Sequence, residues 1–213
     1  MQLIYTENQV STVFLPATHF DNHQIEESYL SVTGWIRDCQ KNHESCCLAS
    51  PTSRPKRLLD LIPPNRDISL RLIETELARN YQYAALSYVW GGPQRMATTT
   101  HNIEARSICI EEANLPRTIE DAIRISRKLG IRYLWIDAFC IIQDSENDKK
   151  EQLNIMGDIY HGAYITIAAI NAHTAEDGFL KTSPLMSWCR TRLPVKSYST
   201  FFFADSVLVF KCK

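Results

Sequence analysis

The spacing of apolar side chains in the first third of the chain predicts one helix and one hairpin. Apolar positions recur at alternating steps of three and four residues across 25–42, as they do on one face of a helix. Farther along, two short apolar runs, 57–62 and 68–73, flank the turn residues 63–65 (PPN). Runs of this length around a proline-rich turn predict a β-hairpin.

Three later apolar runs predict buried strands. They cover residues 83–90, 132–142 and 164–170, and each is nearly continuous in its apolar character. Continuous runs are typical of strands that are covered on both faces of a sheet. A shorter run, 107–111, is a further strand candidate.

Two helical patterns separate the three predicted strands. Thr118 with Asp121, and Ser145 with Asp148, have the spacing of capping boxes, in which both side chains cover free backbone donors at a helix start. The first pattern is expected to end with Gly130 as its C′ residue. The second helix is expected to bury Leu153, Met156, Ile159 and Tyr160 and to end at Gly162.

The order strand, helix, strand, helix, strand is typical of a parallel sheet. We therefore expect an α/β fold with a mostly parallel sheet flanked by helices in a core of residues 80–185. Residues 1–24 form an N-terminal extension, and 25–79 form a lead-in of helix plus hairpin that packs on the sheet edge. Residues 186–213 form an atypical tail, as a truncated chain would have, and a sheet lacking its final element would expose an edge.

Charge and cysteine content narrow the class of protein. The 23 Lys and Arg residues and 24 Asp and Glu residues give a net charge of -1, which argues against a nucleic-acid binder. The seven Cys residues have no regular spacing, and the first residues do not form a secretion signal, so we expect free thiols and a cytoplasmic location. The longest apolar run, 201–210, is too short to span a membrane as a helix.

One group of residues has the spacing of metal ligands. Cys39 and His43 lie one helical turn apart, and Cys46 follows shortly after them. A structural zinc site needs four ligands, and the sequence offers no second ligand pair downstream. We therefore predict no metal site, with these three residues as the zinc candidates. The alternative places Cys39 in the core and His43 near a helix C-terminus, where positive charge is favourable.

Candidate site residues occur where the predicted strands end, which is where ligands bind in α/β sheets. Asp137 lies in the second long run, and it either orients a ligand or caps a neighbouring loop or helix. Trp90 and Trp135 are expected to line the core or the wall of a cleft. Gly91 allows a tight turn and the close approach of a ligand or partner. Ser87 lacks the glycine elbow of a catalytic serine, and it is expected, like Gln152, to line the same ligand or partner cleft.

The chain resembles the heterokaryon incompatibility (HET) domain family of filamentous fungi. The resemblance extends over roughly residues 35–185 and is carried by three blocks in the order in which that family has them. The blocks are 83–91 (YAALSYVWG), 115–119 with 133–144 (LPRTI and YLWIDAFCIIQD), and 156–169 (MGDIYHGAYITIAA). Upstream, Trp35 and the segment 55–60 (PKRLLD) look like the lead-in of such proteins.

This resemblance implies a role in self/non-self recognition and programmed cell death after the fusion of genetically different hyphae. The implied partners are other HET-domain or incompatibility proteins, or a second copy of the chain. The family is also remotely similar in fold to TIR domains and their flavodoxin-like sheets, and some TIR domains cleave the glycosidic bond of NAD.

An NAD glycohydrolase is therefore the alternative function. That reaction needs a carboxylate beside the ribose, and Asp137 and Glu151 are the candidates. Helical geometry points Glu151 into solvent and places the uncharged amide of Gln152 nearer the buried face. Because the better-placed side chain carries no charge, we prefer association without enzymatic activity as the interpretation. NAD is then a substrate only in the alternative, and no cofactor is expected. A third interpretation is an inactive, truncated remnant of a HET protein.

Overall fold

The computed structural model describes three stretches of the chain in full and parts of several others. The full stretches are residues 54–64, 70–169 and 172–180. The partly described segments are 32–34, 36–38, 41–42, 13–15, 188–190, 199–203 and 206–210. The first three of these segments are helical, with Val32 and Ile36 buried, and the rest of the predicted helix lies outside the described residues.

The strands form a seven-stranded mixed sheet and a separate two-stranded pair. The strands are β1 Val13–Leu15, β2 Arg57–Asp60, β3 Arg71–Glu74, β4 Tyr83–Ser87, β5 Tyr133–Trp135, β6 Ile165–Ala168, β7 Trp188–Arg190, β8 Ser199–Phe203 and β9 Ser206–Phe210. The order in the large sheet is β3-β2-β5-β4-β6-β9-β8, and β1 pairs with β7. The central strands β4 and β5 are buried along most of their length, as their continuous apolar runs predict.

Only the centre of the sheet is parallel. Strand β4 lies between β5 and β6 and runs parallel to both, which confirms the predicted strand–helix–strand core. The expectation of a mostly parallel sheet is wrong, because β2 pairs antiparallel with β3 and β5, and β9 pairs antiparallel with β6 and β8. The β2–β3 pair confirms the predicted hairpin. On its side away from β4, β6 pairs with β9, and the edge expected of a truncated chain stays a prediction.

The helices are short, and the longest ends where the sequence predicts. They are α1 Ile103–Ile108, α2 Arg117–Lys128, α3 Asp137–Cys140, α4 Glu146–Asn154 and α5 Met156–Gly162, with a 3-10 turn at Glu112–Asn114. After α2, Gly130 has a φ of 72° and donates to Arg127 O, while Ile131 N donates to Ser126 O. This is a Schellman motif, as the glycine predicts. No helix in the described ranges is both long and apolar enough to cross a membrane.

Two of the predicted strands are partly helical in the structure. Residues 107–111 were expected as a strand, but α1 ends at Ile108 and only Ile110 forms a β-bridge, with Leu70. The run 132–142 is a strand only as far as Trp135, and the chain then turns into α3. Thr98 makes this turn possible, since its N–H and hydroxyl donate to carbonyl groups of α3 that a strand neighbour would otherwise have to satisfy.

The expected capping box of α2 is wrong. The residue before the helix is Pro116, and no side chain caps the helix start. Thr118 and Asp121 instead bind backbone groups of residues 174–180, which we call the clasp loop. At α4 the Ser145 hydroxyl does accept from Asp148 N, as predicted, but the Asp148 carboxylate does not return the bond.

The predicted second helix is two helices, and this changes its buried face. Helix α4 ends and α5 begins around Ile155, so the apolar stripe does not run through both. Leu153 is 54% exposed, which contradicts its predicted burial, whereas Ile159 is fully buried as predicted. On α4 the buried positions are polar, Asp148 and Gln152, because they meet the Arg57 side chain of β2 and the Lys56 N–H just before that strand.

Candidate functional site

Asp137 is held at the carboxyl ends of the parallel strands. It follows β5 as the first residue of α3, and β4 runs alongside β5 with Ala85 opposite Trp135, so the residues that follow β4 approach it. The Asp137 Oδ2 accepts a hydrogen bond of 2.9 Å from Trp90 Nε1, and Oδ1 accepts one of 2.7 Å from Ala138 N. The carboxylate therefore both orients the start of α3 and contacts a side chain from the neighbouring strand end.

The surroundings of Asp137 favour its protonated form. Burial raises the pKa of this carboxyl, and the hydrogen bonds from Ala138 and Trp90 only partly counteract that effect, so the pKa stays above its usual value. A carboxyl with a raised pKa can exchange a proton closer to neutral pH than a solvated one. This is the electrostatic property expected of a functional carboxyl, although a structural one can share it.

Two tyrosines complete the group around Asp137. The Tyr160 hydroxyl donates to Leu86 O at 3.1 Å, and the Tyr160 ring lies edge-on to Trp135 with their centroids 5.4 Å apart. Burial and the Asp137 charge raise the pKa of Tyr160 to about 12 and raise that of Tyr88 as well. Both side chains are therefore neutral hydroxyls at neutral pH. We call Tyr88, Trp90, Trp135, Asp137 and Tyr160 the Asp137 cluster.

Two buried donors in the Asp137 cluster have no hydrogen-bond partner among the residues that the structure describes. They are the Tyr88 hydroxyl and Trp135 Nε1. The Tyr88 hydroxyl lies close enough to Asp137 for each group to shift the pKa of the other, but its geometry does not satisfy a hydrogen bond. An unsatisfied buried donor costs about 1–3 kcal/mol, so such groups in a folded protein point to a bound molecule or to function.

The turn after β4 explains why position 91 is glycine. Gly91 has a φ of 73°, and a Cβ added there would lie 2.4 Å from Thr174 Cγ2 and 2.7 Å from Thr174 Cα. The clasp loop also donates from Ala175 N to Trp90 O at 3.2 Å. The close approach predicted for this glycine is thus made by the chain itself, and it fixes the turn that carries Trp90.

Helix α2 holds the clasp loop in place. The Thr118 hydroxyl donates to Thr174 O and accepts from Gly178 N, at 3.1 and 3.2 Å. The Asp121 Oδ2 accepts from Phe179 N at 2.7 Å and from Leu180 N at 3.0 Å. These bonds connect the start of α2 to the Trp90 turn, and through it to Asp137.

Of the other predicted site residues, Glu151 and Gln152 lie outside this cluster. Ser87 ends β4, is exposed, and interacts with the Tyr160 side chain of the cluster. Glu151 is exposed, as its position on the helix predicts, and pairs with Lys56 Nζ at 3.4 Å. Gln152 is only 3% exposed, and its Oε1 accepts from Lys56 N at 3.1 Å. Within the described residues, neither Glu151 nor Gln152 forms a hydrogen bond or ion pair with the Asp137 cluster.

A buried ion pair on the other side of α3 was not predicted. Arg57 and Asp148 form it, with side chains that are 2% and 5% exposed. Arg57 Nε also donates to Cys140 O at 2.9 Å, and the Asp148 carboxylate accepts from Ile142 N at 2.8 Å. The pair therefore joins β2, the end of α3 and α4. The sequence singled out Asp148 only through the capping motif, which predicted a backbone N–H at the start of the helix as the partner of its carboxylate.

The described part of the chain holds two free thiols, the exposed Cys109 and the buried Cys140, and no group of metal ligands. Burial raises the pKa of the Cys140 thiol to about 12, which makes it an inert core side chain. The zinc candidates Cys39, His43 and Cys46 lie outside the described residues. Among those that are described, no three His, Cys, Asp or Glu residues are grouped as metal ligands would be.

Replacing Asp137 by Asn should remove one pH-dependent component of stability. Folding raises the pKa of Asp137, so the ionised carboxylate destabilises the fold at neutral pH, and this penalty is relieved as the pH falls through the folded pKa. The unfolding free energy of the wild type relative to Asp137→Asn should therefore increase between about pH 7 and about pH 4. Urea unfolding at several pH values measures this difference, with Glu151→Gln as the exposed control. A difference that does not change with pH would contradict the proposed environment.

Comparisons with known proteins agree on one family. The family model of the heterokaryon incompatibility protein (HET) matches residues 83–200, which is more than half of the chain. Over 137 residues the chain is 32% identical to heterokaryon incompatibility protein 6, OR allele, of Neurospora crassa. That alignment covers 58% of this chain and 19% of the relative, so the chain spans only about a fifth of the relative's length. No solved structure matches the chain.

The matched region contains the features that define the candidate site. It begins at Tyr83, the first residue of β4, and it includes every member of the Asp137 cluster and the clasp loop. It also covers the three blocks on which the resemblance rested in the sequence. The chain belongs to the heterokaryon incompatibility (HET) family.

Proposed function

We propose that this chain acts in fungal self/non-self recognition and that its output is programmed cell death. In this proposal the chain works in the cytoplasm by associating with other HET-domain or incompatibility proteins, or with a second copy of itself. Membership of the HET family supports the proposal. The relative in Neurospora crassa is named as a heterokaryon incompatibility protein, although the present chain spans only part of its length.

One structural observation links the proposed function to the residues of the Asp137 cluster. The three sequence blocks are separated along the chain, yet each contributes a side chain to the Asp137 cluster. Trp90 comes from the first block, Asp137 from the second and Tyr160 from the third. We infer that the cluster is the centre on which the HET-specific activity depends, and that the clasp loop keeps it in its working geometry.

A TIR-like NAD glycohydrolase is the second candidate. The Asp137 cluster supports it, because a carboxyl, two tyrosine hydroxyls and the indole N–H of Trp135 meet at the carboxyl ends of a central set of parallel strands. Such a carboxylate, once ionised, could stabilise an oxocarbenium-like transition state. The raised pKa of Asp137 counts against this role, because it lowers the ionised fraction. The exposed position of Glu151 likewise offers little help to a buried reaction.

Regulated expression in a filamentous fungus should reduce viability if the proposal holds. The wild-type chain is expected to arrest growth or kill, whereas Gly91→Asp should not, because an aspartate cannot fit against Thr174. Glu151→Gln is the matched control at an exposed carboxylate and should behave like the wild type. Soluble wild-type protein without any effect on viability would contradict the proposal for this chain.

NAD levels in the same cells separate the two candidate functions. If association alone produces the effect, NAD should stay constant until viability falls. Asp137→Asn keeps the size of the side chain and one of its two acceptor oxygens, so it should preserve the shape of the cluster and still kill at equal protein level. A fall in NAD that precedes death and disappears in Asp137→Asn would favour the glycohydrolase. Purified wild-type protein and Asp137→Asn, incubated with NAD, provide the corresponding test in solution.

A further inference from the structure

Arg106 is a buried cation in an unusual environment. It lies in the last turn of α1, and only 7% of it is exposed. Its Nη1 donates to the Thr98 hydroxyl at 3.0 Å, and its guanidinium carbon lies 4.9 Å from the centroid of the Phe139 ring. A neutral hydroxyl and an aromatic face are therefore the groups that the fold provides for this charge.

Other arginines near the core have carboxylate partners, whereas Arg106 has none in the described stretches of the chain. Arg57 pairs with Asp148, Arg127 with Glu112, and Arg132 with Asp60. No ion pair involving Arg106 exists within the described residues. Burial lowers the pKa of Arg106 to about 10, so the side chain is still charged at neutral pH. A buried charge without an opposite charge is costly, and the cation–π contact offsets only part of that cost.

The guanidinium keeps donors that the fold does not use. Apart from Nη1, its nitrogens make no hydrogen bond within the described part of the chain, and they are not sealed from water. A guanidinium presents five N–H donors in a planar fork, which matches two oxygens of a phosphate or carboxylate. The unused N–H donors of Arg106 therefore have the chemistry of an oxyanion receptor.

The position of Arg106 is fixed by its neighbours before any ligand arrives. Thr98 donates from its hydroxyl to Phe139 O at 2.6 Å and from its N–H to Ala138 O at 2.8 Å. Phe139, the ring under the guanidinium, is itself fully buried. A receptor that is already rigid loses little conformational entropy on binding.

We propose that Arg106, held by Thr98 and Phe139, is the binding site for an oxyanion group of a small ligand. The group is a phosphate or a carboxylate, which share the paired oxygens that the guanidinium fork recognises. In this proposal the negative charge of the ligand pairs with the Arg106 guanidinium. The site is separate from the Asp137 side chain but borders the same helix, α3, because Thr98 bonds to the residues directly after Asp137.

Thermal unfolding of the wild type in inorganic phosphate and in acetate tests the proposal. Each anion is compared with chloride at equal ionic strength. Saturating phosphate or acetate should raise the Tm of the wild type by about 3 °C, because binding stabilises the folded state. The larger response identifies which oxyanion the site prefers. Isothermal titration calorimetry on the wild type should show saturable binding at one site per chain.

Arg106→Met should abolish the saturable part of this response. Arg124→Met, at an exposed arginine of α2, is the matched control and should respond like the wild type. Phosphate also stabilises proteins generally by exclusion from their surface, and that part should be equal in all variants. Arg106→Lys keeps a cation but loses the fork, so it should fold and bind several-fold more weakly even if Arg106→Met does not fold. Equal responses in the wild type and either Arg106 variant, or no saturable binding by the wild type, would overturn the proposal.

Discussion

Arg57→Ala should lower the free energy of unfolding by about 3–5 kcal/mol. The substitution leaves the Asp148 carboxylate buried without its main counter-charge, and it also leaves Cys140 O without the Arg57 Nε donor. Lys56 Nζ, at 3.4 Å from Asp148 Oδ1, is half exposed and cannot replace a buried guanidinium. Urea unfolding of the purified variants measures the loss.

Two further variants show whether the loss comes from the uncompensated charge. Arg57→Met combined with Asp148→Leu removes both charges, so it should be much less destabilising than Arg57→Ala alone. Lys149→Ala removes an exposed i,i+3 pair with Glu146 and should change stability by less than about 1 kcal/mol. A double variant as unstable as Arg57→Ala would mean that packing, and not charge, dominates at this position.

The same ion pair contributes to acid sensitivity. Burial raises the pKa of Asp148, but the hydrogen bonds and charges of Arg57, with Ile142 N and Lys56, outweigh it, so the pKa is lower than usual. A lowered carboxyl pKa contributes stability that is complete above the unfolded value of about 3.9 and is lost as the pH falls through the folded pKa. Asp137 acts in the opposite direction, because its pKa is raised.

Gly91→Ala should lower the free energy of unfolding by about 2–5 kcal/mol. A non-glycine residue at this positive φ costs about 1–2 kcal/mol, and overpacking of a filled site costs about 1–3 kcal/mol more. The overpacking is severe because the new Cβ meets the backbone of Thr174 as well as its side chain. Thermal or urea unfolding detects the change.

Gly130→Ala is the matched control for this substitution. Gly130 has nearly the same φ, 72°, but a Cβ there would meet nothing within 4 Å. Its variant should therefore lose only the backbone component, about 1–2 kcal/mol. The difference between the two variants isolates the contact between the Trp90 turn and the clasp loop. Equal losses at both glycines would show that this contact adds nothing to stability.

Local signals in the sequence predicted the elements that are stabilised by residues close to one another along the chain. The Schellman motif at Gly130 and the β2–β3 hairpin were predicted from such signals. The three apolar runs likewise identified β4, β5 and β6, since a strand buried on both faces has few other sequence patterns available. For the candidate site, strand ends indicated Asp137 and Trp90, whose side chains are hydrogen-bonded in the structure.

The tyrosines of the Asp137 cluster show why the site was predicted only in part. Tyr160 was expected as a core residue, because the spacing of a helix shows that a side chain is buried but not which polar group it meets. Its hydroxyl donates to the carbonyl oxygen of Leu86, which is far away in the sequence. Tyr88 gave no signal beyond its place after β4, since a buried donor without a partner can be recognised only in three dimensions.

The sequence by itself determined the HET family, the α/β class, the central parallel strands and the glycine that the Trp90 turn requires. Tertiary structure alone decided which partners the polar side chains have. Thr118 and Asp121 bind the clasp loop rather than their own helix, and Asp148 binds Arg57 rather than the start of α4. The physical reason is that a buried polar group must be satisfied by the nearest suitable partner in space. The sheet brings segments together that are distant along the chain, and this decides which partner is nearest. The spacing of residues in the sequence carries no information about that arrangement.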